Sequence, residues 1–515
     1  MQLKINDYSD IIFEWIPYEQ FNNIKKINKD DYITICAAIW KNGQLNYDKY
    51  KKIYHRDLKN RNQNITLKFY NLQDNADKFF NEIYGDNYRN SKIIHGISQN
   101  PDTKDYIIVI EYIYCEKCSK IFKILHDTWC KSCQLDYLKI NSLNWTSGNK
   151  KIDALIQEMQ LKINNKSDTI FEWIPYNQFN KIEEIGKGGF AIVYSAIWKD
   201  GPLFYKEKFR RIDHNKKVAL KFLLNSSQNI TDEFLNEIRA YSLNYNENIV
   251  KIYGLSQNPD TKDYIIVLGY ASGGSLYCHL NKNYDKYNWT YKLQLTLNII
   301  AGLKNIHQKQ MVHRDFHVGN LLVEQEIIRC KIYISDMGLC GEVGNIKDES
   351  KIYGVIPYVA PEVLKGKPYT QAADIYSLGM IMYFIATGKQ PFANCAHDEF
   401  LVLNICNGIR SEINESEIPK IYIDIMKKCW DSNPNNRPSV IDLEKSIRSF
   451  YPEFGYFIDK EIKKQFEKAE KYRKANLLSI ESNQSTIHTE AYYTSRLLNP
   501  FTKNLYSMEV IDFTK

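Results

Sequence analysis

The sequence lacks any long apolar run. Its most apolar stretch, residues 375–388, is shorter than the roughly 20 residues that a helix needs to cross a bilayer. The first residues, MQLKINDYSD, contain neither the apolar segment nor the cleavage pattern of a secretory signal. These absences predict a soluble intracellular protein of the cytoplasm that has no membrane partner.

A strong excess of charge of one sign is also absent. The net charge is +7 over 515 residues, and Lys and Arg do not cluster into a stripe with interleaved aromatic residues. Nucleic acid is therefore not an expected partner. The 11 cysteines are expected to remain thiols, because disulfides are rare in cytosolic proteins.

The chain repeats part of itself. The segment that begins MQLKINDYSD at Met1 returns as MQLKINNKSD at Met159, and GISQNPDTKDYIIV at Gly96 returns as GLSQNPDTKDYIIV at Gly254. Residues 1–112 therefore match residues 159–270, and the match stops there. This pattern indicates a tandem duplication in which the first copy is incomplete.

The second copy contains residues suited to binding phosphate groups. In IGKGGFAIVY, Gly186 and Gly188 allow backbone amides to approach phosphate oxygens, although a hairpin turn would explain these glycines equally well. Lys221 ends the apolar stretch VALK, and Glu237 follows in an amphipathic helical pattern. A lysine held by such a glutamate can bind the α- and β-phosphates of a nucleotide.

The segment MVHRDFHVGNLLV and the strand after it add acid–base and metal-binding candidates. Asp315 is a candidate general base, a role typically worth about 10²–10⁴ in rate. Asn320 and Asp336 offer the oxygen ligands that Mg²⁺ prefers. Because phosphoryl transfer depends mainly on positioning and charge neutralisation, this set of side chains matches its needs.

Taken in order, these motifs resemble the catalytic domain of eukaryotic protein kinases over residues 179–449. The segments VAPE, DIYSLG and CWDSNPNNRP extend the resemblance, which is strongest to the tyrosine-kinase-like group, whose members mostly phosphorylate Ser or Thr. It implies an α+β, bilobal protein kinase fold with a β-rich small lobe and a helical large lobe. It also implies that Glu362 pairs with Arg437 and that Asp374 anchors the catalytic loop.

The same resemblance implies an enzyme that uses ATP and Mg²⁺ to phosphorylate a protein substrate. The residues expected to act in catalysis are Asp315, Lys221, Glu237, Arg314 and His317. Those expected to bind ATP are Gly186, Lys187, Gly188, Gly189, Val193, Ala219, Lys221, Leu268, Gly269, Tyr270, Ala271 and Leu322. Those expected to bind Mg²⁺ are Asn320 and Asp336. An Arg beside the base also suggests that an upstream activating kinase phosphorylates Ser350 or Tyr353.

Four residues depart from the kinase pattern. Ala191 stands at the third glycine of the phosphate loop, and Met337 replaces the Phe of D-F-G with another apolar filler. His317 and Val355 replace a Lys and a Thr that are typical of Ser/Thr kinases. The prediction is a kinase that favours Ser and Thr over Tyr, and the alternative is a pseudokinase scaffold that acts through protein–protein contacts.

The first copy is predicted to be a degenerate small lobe without catalytic activity. Its loop reads INKDDY, in which Asn28, Asp30 and Asp31 replace glycines, and two carboxylates would repel a triphosphate. Lys68 and Glu82 persist, but the copy ends before any catalytic aspartate. It is either a regulatory module or a segment without a role, left by a recent duplication or a mis-joined gene prediction.

One string in the first copy imitates the catalytic loop. HRDLKNRN, residues 55–62, matches the kinase pattern without a mismatch, whereas HRDFHVGN at residues 313–320 matches it imperfectly. Alignment of the two copies places the first string in a polar loop before Lys68, so Asp57 lacks the preceding helices and a metal-binding aspartate. We therefore assign the catalytic loop to the imperfect match.

Four cysteines follow the first copy in the pattern C-x2-C-x11-C-x2-C: Cys115, Cys118, Cys130 and Cys133. Two such pairs favour a structural Zn²⁺ site of the zinc-ribbon type, and reduced thiols in a degenerate loop are the alternative. The chain is thus predicted to contain a degenerate small lobe (1–112), a zinc-ribbon-like module (113–150), a linker (151–178), the kinase domain (179–449) and a helical and disordered tail (450–515).

Overall fold

The computed structural model describes residues 13–29, 33–48, 53–56, 61–84, 94–111, 115, 117–118, 120, 130–141, 145–163, 168–187, 191–206, 208–223, 226, 230, 232–241, 248–325, 330–342, 351–451, 459–476 and 487–502. They fall into two compact units, one formed mainly by residues 1–144 and the other mainly by residues 145–515. Within the described ranges, none of the helices combines the length and the hydropathy that a bilayer crossing needs.

The first unit is built on a six-stranded sheet. Its elements are β1 (Glu14–Trp15), β2 (Phe21–Lys29), β3 (Ile33–Trp40), β4 (Leu45–Asp48), β5 (Ile53–Arg56), β6 (Gln63–Tyr70), α1 (Leu72–Tyr84), β7 (Ile94–Gln99), β8 (Tyr106–Glu111) and α2 (Lys131–Asn141). The strand order is β1-β7-β8-β6-β3-β2, and β4 and β5 form a separate pair. The strand β1 runs parallel to β7, and the other pairs in the sheet are antiparallel.

The apolar residues of β8 are buried on both faces of this sheet. Ile107 and Val109 pack on one face with Trp40, whereas Ile108 packs on the other face with Phe79 of α1. Successive side chains of a strand point to opposite faces, so a continuous apolar strand is buried on both sides. The run YIIVIE therefore predicts a central strand rather than an exposed one.

The second unit begins with a sheet of the same order. Its first elements are α3 (Lys150–Leu161), β9 (Glu172–Trp173), β10 (Phe179–Lys187), β11 (Ala191–Trp198), β12 (Leu203–Lys206), β13 (Lys208–Arg211), β14 (Lys216–Leu223), α4 (Asp232–Tyr241), β15 (Ile252–Gln257) and β16 (Tyr264–Gly269). The sheet runs β9-β15-β16-β14-β11-β10, and β12 pairs with β13.

The remainder of the second unit is mainly helical. It comprises α5 (Leu276–Asn283), α6 (Trp289–His307), β17 (Met311–Val312), β18 (Leu321–Gln325), β19 (Cys330–Ile334), β20 (Gly341–Glu342), β21 (Tyr353–Gly354), α7 (Pro361–Leu364), α8 (Gln371–Thr387), α9 (Glu399–Cys406), α10 (Lys420–Cys429), α11 (Val440–Ser449), α12 (Lys460–Ala475), β22 (Arg496–Leu497) and α13 (Asn499–Thr502). Helix α8 is buried from Ala373 to Thr387, as its apolar sequence predicts. The α+β fold with a β-rich part followed by a helical part is thus confirmed.

The segment predicted as a linker contains ordered structure. Helix α3 begins at the N-cap Asn149 and buries Ile152, Leu155, Ile156 and Met159. Glu158 of this helix pairs with Arg239 of α4 at 3.1 Å, and Gln160 donates to the carbonyl of Phe171 at 2.9 Å. The second unit therefore begins before residue 179, the predicted start of the kinase domain.

The C-terminal tail is also more structured than the sequence indicates. Helix α12 turns Ala469 inward, and Ile462 and Phe466 pack against the same core, as predicted, while Ile458 lies outside the described residues. Beyond this helix, β22 pairs with β21 and Leu498 is fully buried. Part of the predicted disordered tail is therefore packed against the helical part of the unit.

Candidate active site

The side chain of Lys221 lies at the centre of an ion-pair cluster. Its Nζ is 2.6 Å from Oε1 of Glu237 on α4 and 2.9 Å from Oδ1 of Asp336. Burial alone would lower the pKa of Lys221, but the two carboxylates raise it well above its ordinary value. The lysine is therefore charged at neutral pH, and the predicted Lys221–Glu237 contact is present.

Asp336 follows β19 in an unusual backbone conformation. Its φ of 56° lies in the left-handed region, which costs energy for a residue other than glycine and is concentrated at functional sites. The charge of Lys221 lowers the pKa of Asp336. Met337, the next residue, is fully buried, so it fills apolar space as predicted for the residue that replaces Phe.

Asp374 of helix α8 binds the backbone of the candidate catalytic loop. Its Oδ2 accepts a hydrogen bond from the amide of His313 at 2.8 Å, and its Oδ1 accepts one from the amide of Arg314 at 3.1 Å. Arg314 has a φ of 70°, so the loop turns sharply here. The anchoring role implied for Asp374 is thus visible as two backbone hydrogen bonds.

The same carboxylate has a partner that the sequence did not reveal. Nε2 of His307, near the end of α6, lies 3.0 Å from Oδ2 of Asp374. Both side chains are buried, so this contact joins α6 and α8 beneath the catalytic loop. His307 belongs to no sequence motif, so its contact with Asp374 is recognised only from the structure.

Asp315 is buried and closely held. Asn320 donates from Nδ2 to the backbone carbonyl of Asp315 at 2.9 Å and to its Oδ2 at 3.3 Å. Burial alone would raise the pKa of Asp315, but the neighbouring imidazole of His317 lowers it below its ordinary value. Asp315 is therefore a carboxylate at neutral pH.

His317 lies beside this carboxylate in place of the usual Lys. The amide of Gly319 donates to Nδ1 of His317 at 3.1 Å, which places the ring proton on Nε2. That nitrogen is 3.7 Å from Oδ1 of Asp315. The histidine thus presents a donor next to the candidate base.

Residues predicted to contact the purine ring lie around β14, β16 and β18. Val193 is the cross-strand partner of Lys221, and Ala219 is the partner of Leu268. The segment after β16 is fixed by hydrogen bonds that join Gly269 to Lys251 at 2.8 Å, Gly273 to Val323 at 2.8 Å and Val323 to Gly274 at 2.8 Å. The predicted residues Tyr270, Ala271 and Leu322 lie in or beside this fixed segment.

The described residues include the beginning of the candidate phosphate loop. Gly186 and Lys187 lie at the end of β10, where Gly186 pairs with Val193. A Cβ atom added at Gly186 would meet no other atom within 4 Å. Gly188 and Gly189 lie outside the described residues.

A buried ion pair stabilises the helical part, as the resemblance implies. Arg437 donates through both terminal nitrogens to Glu362, at 2.6 and 2.7 Å, and through Nη1 to the carbonyl of Ala372 at 2.8 Å. Such two-point contacts define geometry as well as energy. They connect the start of α7 and the start of α8 to the segment before α11.

Gly354 is a site residue whose role the sequence did not reveal. Its φ is 145° and a Cβ atom there would lie 2.7 Å from Cγ2 of Val359, so only glycine fits; the same Cβ position is 3.8 Å from Oδ1 of Asp315. In the sequence this glycine directly precedes Val355, one of the residues that depart from the kinase pattern. The structure places its backbone against the candidate base.

Known proteins match the part of the chain that contains this site. The family profile described as protein tyrosine and serine/threonine kinase matches residues 179–447, just over half of the chain. The chain belongs to this protein kinase family. The predicted kinase resemblance is thereby confirmed.

Curated relatives of this kinase come from several organisms. Human mitogen-activated protein kinase kinase kinase 7 is 29% identical over 281 residues, which cover 53% of this chain and 42% of that protein. "Probable serine/threonine-protein kinase roco5" of Dictyostelium discoideum is 28% identical over 314 residues, 58% of this chain and 10% of that protein. "Dual specificity protein kinase pyk3" of the same organism is 27% identical over 283 residues, 55% of this chain and 19% of that protein. The matched region thus spans less than half of each relative.

The first unit contains a cluster of four cysteines, which is a candidate metal site. The Sγ atoms of Cys115, Cys118, Cys130 and Cys133 all lie within 4.8 Å of one another. Cys115 and Cys133 are 3.6 Å apart and Cys118 and Cys130 are 3.5 Å apart. Tetrahedral Zn–S bonds of about 2.3 Å require sulfur separations close to these, so the donor set fits Zn²⁺.

Proposed function

We propose that the chain is a protein kinase that transfers the γ-phosphate of ATP to protein hydroxyl groups, with Ser and Thr favoured over Tyr. One observation carries the proposal: Lys221 contacts both Glu237 and Asp336. This cluster brings the candidate phosphate-binding lysine to the candidate metal ligand. Mg-ATP supplies the transferable phosphoryl group and the cation that neutralises its charge.

The polar atoms of the site suit a divalent cation. Because the amide nitrogen of Asn320 donates to Asp315, its Oδ1 is the atom that can face the metal. Asp336 is ionised and meets Lys221 through Oδ1, which leaves Oδ2 on the same carboxylate for the cation. Amide and carboxylate oxygens are the ligands that Mg²⁺ prefers.

Asp315 acts mainly by orienting the attacking hydroxyl. Its lowered pKa makes it a weak base, but a loose transition state requires little proton removal before the phosphoryl group moves. The carboxylate accepts the hydroxyl hydrogen bond and then the proton. His317 takes the position of the missing Lys, and its Nε2, which lies 3.7 Å from Oδ1 of Asp315, is the atom that donates to the phosphoryl oxygens.

The preference for Ser and Thr is supported by relatives rather than by the geometry. One relative is named as a serine/threonine kinase and another as a dual specificity kinase. The pseudokinase alternative rests on His317 and Val355, which depart from the Ser/Thr pattern, and the kinase names of the relatives do not favour it. The intact set Lys221, Asp315, Asn320 and Asp336 favours activity.

The test is transfer of labelled phosphate from ATP to the chain itself and to casein, with Mg²⁺ and after addition of EDTA. We expect phosphoserine and phosphothreonine in the product, no transfer with EDTA, and none from Asp336→Asn. Glu467→Gln, which alters an exposed carboxylate on α12, is the matched control and should transfer normally. Equal transfer by Asp336→Asn, or the absence of transfer by the wild type, would refute the proposal.

Phosphorylation of the activation segment by an upstream kinase is a further part of the proposal. Ser350 lies outside the described residues, whereas Tyr353 forms β21 and its carbonyl accepts a hydrogen bond from Tyr369 at 2.9 Å. A phosphate on either residue would be attracted to Arg314. Full activity of a Ser350→Ala, Tyr353→Phe double variant would exclude this regulation.

We also propose a structural Zn²⁺ at the four cysteines. Cys115 and Cys130 are buried, and the amide of Cys115 donates to the carbonyl of Lys120 at 2.8 Å, which closes a tight turn around the first pair. Such a site can contribute on the order of 10–16 kcal/mol of apparent binding energy. The proposed role is to stabilise the first unit.

A further inference from the structure

A segment of the C-terminal tail lies along the backbone next to the active site. Strand β22 pairs antiparallel with β21, with Leu497 opposite Tyr353 and Arg496 opposite Gly354. The pairing continues where the amide of Leu498 donates to the carbonyl of Ile352 at 2.7 Å. The backbone before the VAPE segment thus has a strand partner from the same chain.

This strand partner lies close to the candidate base. The Cβ position of Gly354 is 3.8 Å from Oδ1 of Asp315, and Gly354 is the residue that pairs with Arg496. A chain that carries a hydroxyl to Asp315 past Gly354 would occupy the space next to this backbone. The tail and such a chain would therefore occupy overlapping space.

Side-chain contacts fix the tail in this position. Leu498 is 0% exposed, and Oδ1 of Asn499 accepts a hydrogen bond from the amide of Ile352 at 2.8 Å. Earlier in the tail, the hydroxyl of Tyr493 donates to the carbonyl of Pro391 at 2.9 Å. An extended segment bound by main-chain pairing with one buried apolar side chain is a common mode of peptide recognition.

His397, just before α9, holds the tail through several atoms. Its amide donates to the carbonyl of Glu490 at 3.0 Å, and its own carbonyl accepts from Nη2 of Arg496 at 2.6 Å. The guanidinium of Arg496 lies over the rings of Tyr492 and Phe501, 4.9 and 4.6 Å from their centroids. The residue opposite Gly354 is therefore held by the tail and His397, and it carries no hydroxyl to present to Asp315.

We propose that residues 487–502 are an intramolecular competitor of the protein substrate, bound along β21 and displaced when a substrate segment takes their place. The identity of the competing ligand depends on the proposed kinase function, whereas the docking itself does not. A segment tethered to its site has an effective concentration on the order of millimolar. A separate tail peptide with a Kd of about 100 μM would thus be bound about nine-tenths of the time when tethered, and would raise the KM for substrate about tenfold.

Two neighbouring leucines provide a matched test in the full chain. Leu498 is buried, whereas Leu497 is 39% exposed, so Leu498→Asp should release the tail and Leu497→Asp should not. With casein as substrate, we expect Leu498→Asp to lower the KM for casein about tenfold, with the KM for ATP unchanged, and Leu497→Asp to behave as the wild type. Asn499→Ala removes the hydrogen bond to Ile352 and should lower the KM for casein by a smaller factor than Leu498→Asp does. It provides the test if Leu498→Asp does not fold.

A binding measurement separates this proposal from kinase activity. A fluorescent peptide of residues 487–502 is added to the full-length Leu498→Asp or Asn499→Ala chain, and its polarisation is followed. We expect saturable binding that casein reverses and that the same peptide with the Leu498→Asp change lacks. If the chain transfers no phosphate but binds the peptide, the function fails and the docking stands; absence of peptide binding, or an unchanged KM for casein in an active Asn499→Ala variant, overturns the inference.

Discussion

The two sheets of this chain share their strand order, yet only one of them carries a candidate active site. In both, a lysine of the central strand pairs with a glutamate of the following helix: Lys68 with Glu82 and Lys221 with Glu237. Lys221 has a second acidic partner, Asp336, whereas the match between the copies ends at residue 112, before any counterpart of that aspartate. The lysine–glutamate pair is therefore compatible with a stable sheet alone, and the aspartates that follow it in the second copy are the candidates for the chemistry.

Comparison of the two copies also explains the arginine at the start of HRDLKNRN, the string that matches the kinase catalytic-loop pattern without being assigned to it. Arg56 pairs with Glu14 in the first unit, as Arg211 pairs with Glu172 at 2.6 Å in the second. Arg56 thus stabilises the edge strand β1 of the first sheet. The equivalent residue of the second copy, Arg211, does the same for β9 and belongs to no catalytic motif. Asp57 lies outside the described residues.

The largest expected difference between the two copies is in their lysines. We expect Lys221→Met to reduce phosphate transfer by at least about 10²–10³-fold, the scale for loss of a preorganised charge at a reacting centre. Lys68→Met removes the same charge from the first sheet and should leave transfer unchanged. Steady-state kinetics of both purified variants provide the measurement, and a similar loss in Lys68→Met would show that the first copy takes part in catalysis.

A smaller difference should follow from two equivalent glycines. A Cβ atom at Gly96 would lie 1.9 Å from the carbonyl of Glu14, and one at Gly254 would lie 1.9 Å from the carbonyl of Glu172. Either change to Ala must displace a short parallel strand, at about 1–3 kcal/mol. We expect Gly254→Ala to lower both the unfolding midpoint in urea and the kinase activity.

Gly96→Ala is the matched control for this prediction. It should destabilise the first unit by a similar amount, as measured by urea unfolding, while phosphate transfer at low urea stays at the wild-type rate. Loss of transfer in Gly96→Ala would contradict the view that the second unit carries the activity alone.

The smallest effect on activity is expected from the cysteines of the first unit. Cys115→Ser should abolish stoichiometric zinc binding, measured by release to a chromogenic chelator, and should lower the stability of the first unit while leaving phosphate transfer intact. Cys278→Ser, which changes an exposed thiol, should retain the metal. Full zinc content in Cys115→Ser would exclude the proposed site.

The sequence predicted those contacts that lie within ordered motifs. The Lys221–Glu237 and Glu362–Arg437 pairs and the anchoring by Asp374 could be expected because each residue belongs to a recognisable string. The pairing of His307 with Asp374 could not, since His307 belongs to no motif and only the packing of α6 against α8 brings the two together. The orientation of His317 likewise depends on the amide of Gly319, which no spacing reveals.

Helix α3 has a local signal in the sequence that the linker prediction does not take into account. Ile152, Leu155, Ile156 and Met159 follow the spacing of one helical face. The first three lie before the second matched segment and Met159 begins it, and all four fall in the range 151–178 that is predicted as a linker. The tail strand β22 is a different case. It has only two residues, and its pairing with β21 is a long-range contact, so no local periodicity could predict it.

The central claim is that Asp315, and not the better-matched Asp57, is the residue on which phosphate transfer depends. The most direct measurement is single-turnover transfer of labelled phosphate from ATP to casein by Asp315→Asn and Asp57→Asn, with circular dichroism to confirm that both variants fold. We expect Asp315→Asn to lose about 10²–10⁴ in rate and Asp57→Asn to match the wild type. Wild-type transfer by Asp315→Asn, or a comparable loss in Asp57→Asn, would contradict the account.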